Sequence, residues 1–143
     1  MNDSKIMFFT DDDHDDLHLM QEIITSLGHK AELFHDGIEM LSTLQNTPVK
    51  PDIIFLDITM PRTDGFEILE KLRASDPAFK DIPVIIHSGN CDEQCIARCF
   101  ELGANYYITK AFSYNGLKAA LEHAVGINWK TFKPTREDFL FEH

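Results

Sequence analysis

The chain has 143 residues, 43% of them hydrophobic, which suits one domain with a core that needs no disulfide or metal staple. Lys and Arg total 13 against 24 Asp and Glu, a formal charge of −11, so a surface built to neutralise nucleic-acid phosphates is excluded and a partner with a basic face is favoured. No apolar run is long enough to span a bilayer, and no cationic leader precedes one, so the expectation is a cytoplasmic protein with no direct nucleic-acid or membrane contact.

Strand-like and helix-like patterns alternate five times along the chain. Ile6 to Phe9 predict β1 over residues 5–10. In α1, over 14–27, Leu17, Met20, Ile24 and Leu27 recur at helical spacing before Gly28. β2 follows at 31–34, then α2 at 37–46, with Asp36 as N-cap and Glu39 three residues on. Pro48 and Pro51 punctuate the link to β3 at 52–57. α3 starts after Asp64-Gly65 and carries Phe66, Ile68, Leu69 and Leu72. Pro77 and Pro83 flank the path into β4 at 83–87, and α4 at 92–102 ends on Gly103. β5 at 105–109 and α5 from Ser113 to Gly126 complete the series.

Five βα units with short links predict an α/β protein, a flavodoxin-like (βα)5 three-layer sandwich. Its parallel sheet is expected to have five strands in the order 2-1-3-4-5. Residues 1–126 account for this domain, and the 17 residues of 127–143 are too few for a second one or for a separate output domain. That tail holds Trp129, Phe132, Phe139 and Phe141, which predicts packing back on the domain in preference to a docking or dimer segment. Cys91, Cys95 and Cys99, spaced by four, read as small apolar fillers along one helical stripe.

Four of the five strands end on polar residues. Asp11 and Asp12 follow β1, Asp57 follows β3, Ser88 follows β4 and Lys110 follows β5, while β2 carries no such group. Carboxyl ends of strands are where an open α/β sheet places its chemistry. Two bare carboxylates about 4 Å apart repel by ~4 kcal/mol at an effective dielectric near 20. Such a cluster stays ionised only around a cation, or with one member protonated. Oxygen ligands of this kind suit Mg²⁺. Asp13, Asp15 and Asp16 are explained by the first turn of α1, as cap and dipole partners. Asp57 has no such explanation, because no helix begins until about Asp64, and it is the candidate nucleophile for an acyl phosphate. Lys110 would supply a point charge to phosphoryl oxygens, Ser88 a hydrogen bond, and Gly89 open space. His87 alternates to the face opposite Ser88 and reads as a hydrogen-bonded structural residue. The set predicts Mg²⁺-dependent aspartyl phosphorylation.

From Lys5 to Val125 the chain resembles the receiver domains of two-component response regulators. The resemblance rests on Asp11-Asp12, on FLDITMPRTDGFEIL around Asp57, on IPVIIHSG around Ser88 and on ELGANYYITKAF around Lys110. Its acidic DDDHDD segment and short Trp-containing tail are similar to stand-alone regulators paired with phytochrome-type kinases. The resemblance implies that Asp57 takes phosphate from a phosphohistidine on a sensor histidine kinase or histidine phosphotransfer protein. It implies Mg²⁺ held by Asp12, Asp57 and the backbone carbonyl of Thr59, with Asp11 assisting through water. Ser88 and Tyr107 are the implied switch residues, Lys110 bonds the phosphoryl group, and the α4–β5–α5 face is the output and a homodimer surface. The chain departs from the family pattern at Ala111, where a Pro after a cis bond is usual, and at Thr10, where an apolar residue is usual. Thr59 and Asn90 fall at positions that tune phosphate lifetime in this family.

Two other readings compete. A haloacid-dehalogenase-like phosphatase would use Asp11 and Asp13 as its Asp-x-Asp opening, but would leave Asp57 without a role. A non-phosphorylated receiver-like scaffold would leave the intact acid, hydroxyl and Lys set unused.

Overall fold

The computed structural model describes residues 4–60, 64–74, 77–89, 92–111 and 113–141. In chain order the elements are β1 (Ile6–Thr10), α1 (His14–Ser26), β2 (Lys30–Phe34), α2 (Gly37–Asn46), β3 (Ile53–Leu56) and α3 (Gly65–Ala74). A single unnumbered turn, Pro77–Lys80, precedes β4 (Val84–Ser88), α4 (Glu93–Glu101), β5 (Tyr106–Thr109) and α5 (Tyr114–Gly126). A 3₁₀ turn, Arg136–Asp138, leads into β6 (Leu140–Phe141).

Side-chain caps start four of the helices. The Asp13 carboxylate accepts from the Asp15 and Asp16 amides, Asp36 from Glu39, Asp92 from Cys95, and the Ser113 hydroxyl from Gly116. Gly28 and Gly103 end α1 and α4 at φ +89° and +98°, the left-handed region in which other residues are strained. Gly65 has a different reason. A Cβ there would lie 2.4 Å from the Ile58 Cα, so the loop after β3 can turn back on itself only at a glycine.

All strand pairs are parallel, in the order β2-β1-β3-β4-β5-β6. The central strand β3 is buried along its whole length, as expected for a strand covered on both faces. Period-two alternation splits the core into two layers. Phe8, Ile54, Leu56, Ile86 and Tyr107 face α2, α3 and α4, whereas Met7, Phe9, Phe55, Ile85 and Ile108 face α1 and α5.

The expected five-stranded sheet is corrected to six strands, with the anticipated order retained for the first five. β6 comes from the tail and pairs Leu140 with Tyr107 and Phe141 with Ile108. Two residues are too few to show a period, and their strand character depends on backbone pairing that the side chains do not announce. The tail is held on the domain by other contacts as well. The Trp129 indole donates to the Ala124 carbonyl at 3.1 Å, and Phe139 is fully buried, edge-on to Phe100. The Tyr107 amide donates to the Phe139 carbonyl at 3.0 Å. Arg136 meets Glu93 of α4 across the same face. Of the cysteines, Cys99 is a buried free filler, Cys95 is partly buried and packs against the same core layer, and Cys91 lies outside the described residues.

Candidate functional site

Backbone hydrogen bonds bring the strand ends to one rim. The Asp57 amide donates to the Thr10 carbonyl at 3.0 Å, and the Lys110 amide to the Ser88 carbonyl at 3.0 Å. The Asp11 amide donates to the Phe34 carbonyl at 3.1 Å. Residues up to a hundred positions apart therefore meet without any help from their side chains.

The carboxylates are aimed by two short turns of the same kind. Asp11 Oδ1 accepts from the Asp13 amide at 3.0 Å, and Asp57 Oδ1 accepts from the Thr59 amide at 2.9 Å. Such Asx turns fix a side chain against its own backbone two residues on. The Thr59 hydroxyl adds a second bond to Asp57 Oδ1 at 2.9 Å and lies 3.3 Å from the Ser88 hydroxyl.

Asp11, Asp12 and Asp57 each present an oxygen within 4.8 Å of the others, with Asp12 exposed and the other two buried. Asp11 Oδ2 is buried and has no hydrogen-bond partner, although the Lys110 ammonium lies 3.0 Å away as an ion pair. Burial, reinforced by the Asp57 charge, pushes the Asp11 carboxyl up to about 7, against the opposing pull of the Asp13 amide and Lys110. Three carboxylates gathered around one ammonium leave an excess of negative charge that fits a hard divalent cation, which would relieve the repulsion.

Lys110 sits 3.1 Å from Asp57 Oδ2 and 3.3 Å from Asp16 Oδ2. Burial alone would lower its ammonium, but Asp57 and Asp11 more than reverse that, so it is raised and stays charged. Ser88 is fully buried. The Tyr107 ring is buried under Phe139, and its hydroxyl lacks a hydrogen-bond partner. Burial pushes that phenol up to about 12, and the neighbouring Ser88 hydroxyl offsets only part of the effect.

The structure thus gathers Asp11, Asp12, Asp57, Thr59, Ser88 and Lys110, with Tyr107 one layer behind. Asn90 lies outside the described residues. The Lys110–Ala111 bond is trans, like the other peptide bonds of the described residues. Thr10 is buried, and its hydroxyl has no hydrogen-bond partner. His87 is buried beside a cavity of about 200 Å³ that Asp16, Met20, Lys110 and Ala111 also line. Sequence reasoning missed two contacts, the Thr59 grip on Asp57 and the reach of Asp16 to Lys110. The Asp-x-Thr spacing of an Asx turn could have revealed the first. The second needed the position of the α1 first turn over the sheet rim.

The comparisons agree with this geometry. The model of the response regulator receiver domain matches residues 7–122, and the chain belongs to that family. Response regulator Rcp1 of Synechocystis sp. is 30% identical over 118 residues, 77% of this chain and 79% of that protein. The crystal structure of a phosphorylated cyanobacterial phytochrome response regulator, RcpA, superposes with a TM-score of 0.79 at 29% identity, covering 93% of this chain and all of the other. The Mn²⁺-bound form of Rcp1 gives 0.76 at 25% identity, covering 92% and 99%. Against longer relatives the chain spans about half, as with 49% of the transcriptional regulatory protein RprY of Bacteroides fragilis, at 32% identity over 84% of this chain.

The protein is accordingly the receiver domain of a two-component response regulator. The phosphatase reading is set aside, because Asp13 is spent on capping α1 and Asp57 stands at the centre of the site.

Proposed function

We propose that Asp57 accepts a phosphoryl group from a phosphohistidine of a sensor histidine kinase or histidine phosphotransfer protein, in a step that requires Mg²⁺. The observation that carries this reading is the position of Asp57 Oδ2, 3.1 Å from the Lys110 ammonium and within the cluster of Asp11 and Asp12. An Asp57 oxygen attacks phosphorus, the P–N bond of the donor breaks, and the imidazole leaves with the electron pair and takes up a proton. Asp12, Asp57 and the Thr59 carbonyl would hold the ion, and Asp11 would assist through water. When bound, Mg²⁺ offsets the charge that gathers on the phosphoryl oxygens.

Lys110 then bonds one phosphoryl oxygen and Ser88 another. Ser88 leaves Thr59 to do so, and Tyr107 adjusts behind it. The switched surface is α4, β5 and α5, on which β6 and Phe139 already lie, so a homodimer or another partner on that face would meet the tail as well. The protein catalyses its own phosphotransfer and dephosphorylation and turns over no other substrate. It works in the cytoplasm, with the tail 127–143 packed on the receiver domain of residues 1–126; no helix among the described residues is long and apolar enough to cross a membrane.

A direct test is transfer from a radiolabelled phosphohistidine kinase, with and without Mg²⁺. Label on the wild type but not on Asp57→Asn, lost with chelator, is the expected result. Label that persists in Asp57→Asn would overturn the assignment.

A further inference from the structure

Lys110 offers three N–H donors. Two hydrogen bonds go to Asp57 Oδ2 at 3.1 Å and Asp16 Oδ2 at 3.3 Å. Asp11 Oδ2 lies nearest, at 3.0 Å, as a buried ion pair. The ammonium is therefore shared among three carboxylates, and Asp16 of the α1 first turn is the only one of the three that is not buried.

Asp16 can hold the ammonium because its backbone is fixed. Its amide donates to the Asp13 cap at 3.1 Å, which holds the residue in the first turn of α1. Its side chain is 39% exposed, against 1% for Asp11 and 2% for Asp57, so water can replace Lys110 at Asp16 and at neither of the others.

We propose that Asp16 is a positioning residue that tethers the Lys110 ammonium to the first turn of α1 in the resting protein and gives it up when Asp57 carries a phosphoryl group. This inference rests on the phosphoacceptor reading. Phosphorylation adds negative charge at Asp57 and new acceptor oxygens that need a donor, so Lys110 turns to them. Asp16 is the contact that yields. The resting tether lowers affinity for the phosphoryl group, and its release changes the surroundings of the α1 first turn. A partly exposed pair of this kind is worth a factor of about two to five in affinity.

The test is a titration of the full chain with beryllofluoride and Mg²⁺, followed by amide NMR. The variants are Asp16→Asn, Asp16→Glu and Asp15→Asn. Asp15 is exposed in the same turn and bonded to the same cap, so its substitution removes one charge without touching Lys110. Asp16→Asn is expected to bind about two- to fivefold more tightly, Asp16→Glu to return toward the wild type, and Asp15→Asn to stay near it. Amides of residues 14–17 are expected to shift on binding in the wild type and much less in Asp16→Asn. Unchanged or weaker binding by Asp16→Asn, or an equal gain in Asp15→Asn, would overturn the tether while leaving the phosphoacceptor reading intact. No response in the wild type would sink that reading, and the tether with it.

Discussion

The rim of strand ends and the tail along β5 are both built from residues distant in sequence, but they are held together for opposite reasons. At the rim, Asp11 and Asp57 are buried beside each other and beside an exposed Asp12, an arrangement that costs stability and is offset by Lys110, by a proton on Asp11 or by a bound cation. Along β5, Phe139 and Trp129 fill space against Phe100, Tyr106 and Tyr107, and the contacts are stabilising without carrying charge. The first region exists for chemistry and the second for packing. Changes in the rim should alter phosphorylation and spare the fold, and changes in the tail should do the reverse.

The largest expected effect is at Asp57. Asp57→Asn should lose labelling by acetyl phosphate altogether while its melting temperature stays the same or rises, because one buried charge is removed; a marked fall in melting temperature would break the contrast. Phe139→Ala should cost about 3–5 kcal/mol in urea unfolding, the range for emptying a buried aromatic site, and should still be labelled at temperatures where it is folded. Loss of labelling in a folded Phe139→Ala would instead tie the tail to the chemistry. Such a tie has a structural route, since the Phe139 carbonyl accepts from the Tyr107 amide.

A smaller effect follows from Asp11. Folding raises its carboxyl from 3.8 to about 7, so the folded chain binds this proton more tightly than the unfolded chain. The metal-free protein should therefore lose stability as pH rises from 3.8 to about 7, and Mg²⁺ should raise the melting temperature more at pH 8 than at pH 5. An equal Mg²⁺ effect at both pH values would count against the clustered acids. The smallest effect is at Arg136, whose contact with Glu93 is exposed, and Arg136→Ala should cost at most about 1 kcal/mol in the same unfolding assay.

Much of this was readable in the chain because strand ends are marked by abrupt changes of character. Ile53 to Leu56 followed by Asp57, or Tyr106 to Thr109 followed by Lys110, signals a buried strand and the rim residue together. Helix caps were equally legible at Asp36, where the side chain meets the Glu39 amide. What could not be read depends on geometry between elements. β6 is two residues long and is defined by its pairing with Tyr107 and Ile108. Asp16 looks like any acidic residue in a helical first turn, and only the placement of α1 over the rim brings it to Lys110. Thr59 was expected to act through its carbonyl, whereas its amide and hydroxyl are the groups seen on Asp57.

The most direct measurement is intact-protein mass spectrometry after acetyl phosphate with Mg²⁺, followed by mapping of the modified residue. One phosphoryl group on Asp57, absent with chelator and absent in Asp57→Asn, is the predicted result. A phosphoryl group on any other residue, or no modification of the wild type under conditions that label a control receiver, would contradict the account.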